Sequence, residues 1–264
     1  MNREATGLAG VRHIAFETLG STNAEAMALA HAGERGPLWV SAQRQTAGRG
    51  RRGRAWVSEP GNLYASLLLN DPAPLARVAE LSFVTALAVR DAIAQAAPAL
   101  GPQLAFKWPN DVLLAGEKVA GILIEGEVVR GEPATVAIGI GVNCASHPAE
   151  AAYPATGLAA HGSKITPQGL LASLSAAMVK RIAQWDRGNG FAGVRSDWLS
   201  SAHGIGQAIR VSDGAGERTG LFAGLDAAGR LLLDLPGGTR QEIAAGDVFP
   251  LTLRPGRHDP VLRG

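Results

Sequence analysis

Short apolar runs separated by polar or glycine-rich breaks cover the first hundred residues, and their spacing predicts three strands and two helices. The strands are expected at residues 11–17, 38–43 and 62–69. A helix is predicted at 21–32, where Thr22 and Glu25 have the spacing of a capping box and Gly33 ends the pattern. Residues 75–97 have apolar side chains at helical spacing and stop before Pro98, so this segment is expected to be the longest buried helix.

The middle of the chain predicts strands that pair locally. Residues 103–126 read as strands broken by turns at 109–111 and 115–117, and an apolar strand follows at 134–143. These strands lie too close in sequence for a helical crossover, so antiparallel pairing is expected. A third helix is predicted from Thr166-Pro167 to about Trp185, because a threonine cap followed by proline is typical of a helix start.

The pattern changes past Gly204, where glycine-rich turns separate short strands. Five strands are predicted, at residues 209–211, 218–225, 231–234, 240–243 and 248–253. Short strands of this spacing favour a small β-barrel or sandwich. We therefore expect a domain boundary near residue 205, between a larger domain of residues 1–204 and a smaller one of residues 205–264.

Composition narrows the class of protein. A chain of 264 residues with 46% hydrophobic and 18% charged residues is typical of a soluble globular protein. No apolar run approaches the roughly 20 residues of a membrane span, and Glu4, Arg12 and His13 interrupt any signal peptide. A cytoplasmic location without membrane contact is therefore expected. The single cysteine, Cys144, excludes an internal disulfide and a multi-cysteine metal cluster, and we expect it to pack in the core.

Positive charge is concentrated in one loop. Residues 44–54 hold five arginines and no acid, whereas the rest of the chain has 20 basic and 23 acidic residues. The sequence GRGRRGR at 48–54 combines glycines, which expose backbone N–H groups, with guanidinium forks that bind carboxylate and phosphate. The loop does not have the spacing of glycine and lysine that defines a Walker phosphate-binding loop. The loop therefore predicts a site for a small, highly charged anion, with an RNA-binding or simply solvated basic loop as the alternatives.

Two further segments carry candidate chemistry. KWPND at 107–111 ends a strand in a turn, and Lys118 follows seven residues later, so a tight hairpin can place Lys118 beside Asp111. Such a pair would hold the lysine charged and directed at a phosphate or carboxylate, although a structural turn with a cross-strand ion pair has the same pattern. Residues 137–143 alternate glycine with β-branched residues, which indicates either a ligand lying on a strand or a close strand crossing.

These segments, in this order, resemble the biotin protein ligases. The resemblance is carried by Ser21-Thr22-Asn23, Gln45 with GRGRRGR and Trp56, KWPND, KVAGIL at 118–123 and GIGVN at 139–143, and it covers essentially the whole chain. It implies an α+β fold, with a catalytic domain like that of class II aminoacyl-tRNA synthetases, built on a mixed, mainly antiparallel sheet. A small C-terminal β-barrel of Src-homology type would follow.

The resemblance also assigns candidate site residues. The biotin site would comprise Ser21, Thr22, Asn23, Gln45, Arg49, Gly50, Arg51, Lys118 and Gly121. The ATP site would comprise Arg51, Arg52, Arg54, Trp56, Asn110, Asp111, Lys118 and Asn143. Arg51, Lys118 and Asp111 are the implied catalytic residues. The segment 153–158 has Gly157 where the family often has serine, so the nucleotide contacts of this loop are left open.

The implied reaction joins biotin to ATP, forming biotinyl-5'-AMP, and then passes biotin to a lysine of a biotin carboxyl carrier domain. Mg²⁺ is implied as a cofactor, but no residue is identified as its ligand, and Asp111 is the one candidate base for the transfer step. Only 20 residues precede Ser21, so no DNA-binding domain is expected, and a homodimer is one alternative for the oligomeric state. A lipoate ligase and a nucleic-acid-binding module are the rival functions.

Overall fold

The computed structural model describes residues 3–128, 134–149, 153–214 and 216–251. An eight-stranded sheet forms its centre, with the strand order β1-β2-β3-β4-β8-β7-β6-β5. Its strands are β1 Arg3–Leu8, β2 Val11–Leu19, β3 Leu38–Gln45, β4 Leu63–Asn70, β5 Leu104–Lys107, β6 Asp111–Leu114, β7 Glu117–Glu127 and β8 Thr135–Val142. β2 and β3 run parallel, and the other neighbouring strands of this sheet pair antiparallel. The predicted strands and their local antiparallel pairing are confirmed.

Helices cover both faces of this sheet. They are α1 Thr22–His31, α2 Leu81–Ala96, α3 Pro167–Trp185 and α4 Phe191–Leu199. Side chains alternate along β3, so Leu38 and Val40 pack with Ala26 of α1, while Trp39 faces the opposite side and donates to Ser175 Oγ of α3 at 2.9 Å. The described helices include none that is long and apolar enough to cross a membrane.

The first two predicted helices need correction at their starts. Ser21, rather than Thr22, is the N-cap of α1, because the Thr22 hydroxyl bonds Gln45 and only the Ser21 side chain accepts from the helix. Residues Leu75–Glu80 form a 3₁₀ turn before α2, and Leu75 is exposed. α2 is therefore 16 residues long and α3 is 19, so the prediction that the second helix is the longest is wrong.

The C-terminal part forms a second, antiparallel sheet with the order β12-β11-β10-β9-β13. Its strands are β9 Ala208–Asp213, β10 Gly216–Leu225, β11 Leu231–Asp234, β12 Arg240–Ile243 and β13 Asp247–Pro250. All five predicted strands are confirmed, although residues 252–253 of the last prediction lie outside the described residues. The proposed boundary near residue 205 stays a prediction.

The second sheet packs directly against the helices of the first. Its apolar side chains, such as Phe222 and Leu231, belong to the same buried cluster as Phe83 and Phe191. The indole N–H of Trp108 donates to the carbonyl of Gly229 at 3.0 Å. One core therefore connects the KWPND turn with the C-terminal sheet.

Candidate active site

A cavity of about 440 Å³ lies where β2 leads into α1 and β3 ends, beside the β5–β6 turn. Fourteen of the fifteen predicted site residues line it: Ser21, Thr22, Asn23, Gln45, Arg49, Gly50, Arg51, Arg54, Trp56, Asn110, Asp111, Lys118, Gly121 and Asn143. Arg52 does not line it; its backbone lies in the left-handed region (φ 56°), and its side chain donates to Asp247 of the C-terminal sheet at 3.2 Å. The structure thus brings together predicted residues that lie between positions 21 and 143 of the sequence.

One end of the cavity is lined by uncharged polar side chains, of which Asn23 also donates to the Glu125 carboxylate at 2.8 Å. The Thr22 backbone N–H donates to Gln45 Oε1 at 2.8 Å, and Ser66 Oγ donates to Asn23 Oδ1 at 2.6 Å. Ser66 Oγ also lies 2.7 Å from the Thr22 hydroxyl. Because Ser21, Thr22 and Asn23 are all buried, these bonds fix the donors and acceptors of this end before any ligand enters.

Glycines on β7 and β8 form the floor, and side chains of the chain itself lie on it. A Cβ at Gly141 would lie 2.5 Å from the Trp56 ring, and a Cβ at Gly121 would lie 2.8 Å from the same ring. At Gly139 the corresponding neighbour is Asn23 Oδ1, at 2.6 Å. The alternating glycines therefore make room for Trp56 and Asn23, which in turn form the cavity wall.

A charge cluster of two buried residues and the half-buried Lys118 lies beside the floor. Lys107 Nζ is 3.1 Å from Asp111 Oδ2, and Lys118 Nζ is 2.5 Å from Asp111 Oδ1. Burial by itself would raise the pKa of Asp111, but Lys118 and then Lys107 outweigh it and hold that pKa below its ordinary value. Asp111 is therefore an anion held between two cations, and the cluster carries a net positive charge.

The pairing of Lys118 with Asp111 confirms the predicted hairpin contact, although the two residues are not direct partners. Asp111 pairs with Gly121 and Lys118 with Leu113, with a register irregularity between them. The Lys118 ammonium also lies 5.2 Å from the centre of the Trp56 ring. Lys118 is thus placed between the acid, the indole and the cavity.

The arginine loop, residues 48–54, closes one side of the cavity. Arg51 Nη1 donates to Asn110 Oδ1 at 3.3 Å and to the Gly246 carbonyl at 3.2 Å. Burial lowers the pKa of the Arg51 guanidinium, and the acids Asp247 and Asp111 oppose that shift. Arg49 instead donates to Glu125 of β7 at 3.2 Å. The loop is therefore tied to the large sheet at one end and to the C-terminal sheet at the other.

Residues that the sequence analysis did not select complete the cavity. Lys107 is the first residue of the KWPND motif. Its spacing of four residues from Asp111 is the sequence signal that could have identified it. Tyr153 lines the cavity with its ring 4.7 Å from the Lys107 ammonium and its hydroxyl bonded to the Gly116 carbonyl at 3.1 Å. Asp247 and Phe249 line it from β13, and no local pattern marks either of them.

The loop after β8 is held against β7. Lys118 N–H donates to the Pro154 carbonyl at 2.8 Å, and Thr156 N–H donates to the Lys118 carbonyl at 2.9 Å. The Asn143 amide donates to the Thr156 carbonyl at 3.0 Å, so its N–H group supports this loop. Ala155 lines the cavity, whereas Gly157 does not.

Two family models match this chain. Residues 16–143 match the biotin/lipoate A/B protein ligase family, and residues 204–249 match the biotin protein ligase C terminal domain. The chain belongs to the biotin/lipoate A/B protein ligase family.

Named relatives cover most of its length. A biotin–[acetyl-CoA-carboxylase] ligase from Paracoccus denitrificans is 44% identical over 237 residues, which is 87% of this chain and 96% of the relative. The bifunctional ligase/repressor BirA of Bacillus subtilis is 35% identical over 248 residues, which is 91% of this chain and 74% of the relative.

Solved structures show the same architecture. The biotin protein ligase from Aquifex aeolicus in complex with biotin and ATP superposes with a TM-score of 0.75 at 27% identity, covering 90% of this chain and 97% of that one. The biotin protein ligase from Leishmania major in complex with biotinyl-5-AMP has a TM-score of 0.60 at 24% identity, with 88% and 98% covered, and supports the fold alone.

Proposed function

We propose that this protein is a biotin ligase that joins biotin to ATP and transfers the biotinyl group to a lysine of a biotin carboxyl carrier domain. The observation that carries this proposal is the net cationic Lys107–Asp111–Lys118 cluster, which lies in the same cavity as Arg51 and as a buried polar end. The polar end suits the uncharged ureido group of biotin. The cationic end suits a carboxylate that must meet a polyphosphate.

In the first step, a biotin carboxylate oxygen attacks the α-phosphorus of ATP. The bond from that phosphorus to the bridging oxygen breaks, and pyrophosphate leaves with the electron pair. Two anions must approach each other, so Lys118, Lys107 and Arg51 reduce their repulsion and stabilise the charge that grows on the phosphoryl oxygens. Biotin is held through the residues of the polar end. ATP is held through Trp56, Asn110 and the arginine loop, including Arg54.

In the second step, a neutral lysine amine of the carrier attacks the acyl carbon of biotinyl-5'-AMP. The bond between that carbon and the phosphate oxygen breaks, and AMP leaves. Asp111 is poorly suited to remove the proton of this lysine, because both its oxygens face ammonium groups and its pKa is lowered. We assign Asp111 the role of orienting Lys107 and Lys118, and we assign no base.

Magnesium enters this reaction with ATP, as part of the substrate. Among the described residues, no group of three or more His, Cys, Asp or Glu side chains could hold a metal ion. The two cavity aspartates, Asp111 and Asp247, are already engaged by lysine and arginine side chains. Because both of these carboxylates are engaged, Mg²⁺ would bind through the phosphates of ATP and through water.

A carrier domain as the acceptor and a cytoplasmic location belong to the same proposal, because the reaction needs a carrier lysine and ATP. A homodimer stays one alternative for the oligomeric state. A lipoate substrate is less favoured, because two relatives that match more than four fifths of this chain carry the name biotin–[acetyl-CoA-carboxylase] ligase.

The test measures both steps on purified protein. Incubation with biotin and ATP should release pyrophosphate and leave a bound adenylate, whereas lipoate should release none. Addition of a carrier domain should then place label from labelled biotin on one carrier lysine. Pyrophosphate release confined to lipoate would contradict the proposal, and so would adenylate formation without any transfer.

A further inference from the structure

Asp247 connects the C-terminal sheet to the arginine loop. It is the first residue of β13, its side chain is 19% exposed, and it lines the cavity. Its Oδ1 lies 2.7 Å from Arg54 Nη2, and its Oδ2 lies 3.2 Å from Arg52 Nη1. Both carboxylate oxygens are therefore used, each by a different arginine.

The two arginines that Asp247 holds lie on the C-terminal side of Arg51. The Arg51 carbonyl accepts from the Arg54 backbone N–H at 3.3 Å and from its Nε at 3.4 Å. Because Arg52 has φ 56°, its side chain leaves the loop in a different direction from that of Arg51. Fixing Arg52 and Arg54 therefore also fixes the backbone that carries Arg51.

The neighbour of Asp247 holds Arg51 itself. The Gly246 carbonyl accepts from Arg51 Nη1 at 3.2 Å. Gly246 packs so closely on β9 that a Cβ there would lie 2.9 Å from Val211 Cγ1. A packed turn of the C-terminal sheet, residues 246–247, thus bonds three arginines of the loop.

We propose that Asp247 is a positioning residue for retention of the acyl-adenylate: it anchors Arg52 and Arg54 so that Arg51 stays directed into the cavity. This inference rests on the proposed function. Three guanidinium groups within four residues repel each other, and Asp247 supplies a carboxylate in the cavity wall that offsets this repulsion. The loop can then present Arg51 to the phosphate without moving away from the C-terminal sheet.

A competing role makes the opposite prediction. If Asp247 only occupied the arginines in competition with the substrate phosphates, its removal would release Arg52 and Arg54 for ATP. ATP would then bind more tightly and the adenylate would leave more slowly. The sign of the change therefore decides between anchoring and competition.

The experiment forms the adenylate on the enzyme from labelled biotin and ATP, and follows its release in a chase with unlabelled biotin. Asp247→Asn should lose the adenylate about threefold to tenfold faster, because two partly exposed ion pairs are removed. The rate of pyrophosphate release in the first turnover should change less. Asp247→Glu keeps the charge and should recover most of the retention. Asp234→Asn is the matched control, since it removes a carboxylate of the same sheet whose partner, Arg240, lies outside the cavity.

Two readouts separate positioning from a merely structural role. Asp247→Asn combined with Arg54→Gln should release the adenylate no faster than Asp247→Asn alone, because Arg54→Gln removes one of the two ion pairs that Asp247→Asn already removes. Added salt should speed release from the wild type and change release from Asp247→Asn less. Additive effects, unchanged release or slower release would overturn the inference. A wild type that forms no adenylate would contradict the proposed function itself.

Discussion

Under the proposed function, the first step is expected to depend most directly on Lys118. Its ammonium lies in the cavity, 2.5 Å from Asp111 Oδ1, where the proposal brings the two anionic substrates together. Lys118→Ala should reduce pyrophosphate release by more than a hundredfold, since loss of such electrostatic stabilisation costs roughly 3 to 4 kcal/mol. The measurement is the single-turnover rate with saturating biotin and ATP.

The structure also indicates why this variant should still fold. Asp111 keeps Lys107 as a partner at 3.1 Å, so the buried carboxylate does not lose all its charge compensation. Lys164→Ala, which changes an exposed lysine outside the cavity, is the control and should leave the rate unchanged. A near-normal rate for Lys118→Ala would give Lys118 a structural role only.

Gly141 determines the shape of the cavity through Trp56. Gly141→Ala would place a methyl group 2.5 Å from the indole, so the ring must move away from the floor. The KM for biotin or ATP should rise about tenfold while the thermal stability changes little, because Trp56 is only half-buried and can move outward. Gly126→Ala, on β7, places its Cβ at 3.4 Å or more from its neighbours and should keep both KM values.

At the residue level, the sequence predicts site residues that belong to short motifs. The resemblance to the biotin protein ligases assigned fourteen of the residues that line the cavity, because each matching motif holds its polar side chains within a few positions. Asp247 could not be found in this way, since it lies 193 residues from its partner Arg54 and in a different sheet. Only the packing of the two sheets brings them together.

The arginine loop is the element expected to control the intermediate. Arg51→Gly removes the guanidinium that bonds both Asn110 and Gly246, but leaves Lys107 and Lys118 in place. The variant should therefore retain measurable adenylation, lose the reactive adenylate faster, and label lysines of bystander proteins. Mass spectrometry of a mixture of the carrier domain and albumin measures this directly. Label confined to the carrier, with unchanged adenylate release, would make the loop a static clamp.

Adjacent arginines without acidic partners would repel each other and leave the loop mobile, and we predict that the carboxylate and phosphate oxygens of the ligand order it. The structure changes the physical basis of this prediction. Arg49, Arg52 and Arg54 each have a carboxylate partner, in Glu125 or Asp247. Closure of the loop on the ligand would therefore require these arginines to exchange protein carboxylates for substrate phosphate as their partners.

At the element level, strands bounded by turn residues were predictable, including four-residue strands of the C-terminal sheet, whereas β1 and α4 were not. α4 is nine residues long and follows a 3₁₀ turn at Asp186–Gly188, so its apolar positions do not stand out from the loop around them. β1 precedes the first predicted strand and pairs with it antiparallel. Both elements depend on tertiary packing more than on local pattern.

The whole molecule is expected to unfold as one unit, although it contains two sheets. Gly229→Ala tests this, because its Cβ would lie 2.8 Å from Phe83 of α2 at a backbone φ of +81°. Gly237→Ala is the matched control, with a φ of +95° and no atom within 4 Å. Both variants should be destabilised because alanine is strained at a left-handed φ. Gly229→Ala should lose about 1 to 3 kcal/mol more of the free energy of unfolding than Gly237→Ala.

Denaturant unfolding followed by circular dichroism gives these free energies, and hydrogen exchange shows which sheet opens. Exchange should rise together in β4 and β10 at the same denaturant concentration, in the wild type and in both variants. Earlier exchange of the C-terminal strands alone would show that the two sheets are separate folding units.

The packing of the tryptophans has an optical consequence. Trp39, Trp108, Trp185 and Trp198 are fully buried, whereas Trp56 is the partly exposed member of the five and lies on the glycine floor beside the Lys118 ammonium. An aqueous quencher such as iodide can therefore reach the emission of Trp56 and little else. The fluorescence of the native, unlabelled enzyme then contains a built-in signal from one wall of its own cavity, against a constant background from the core.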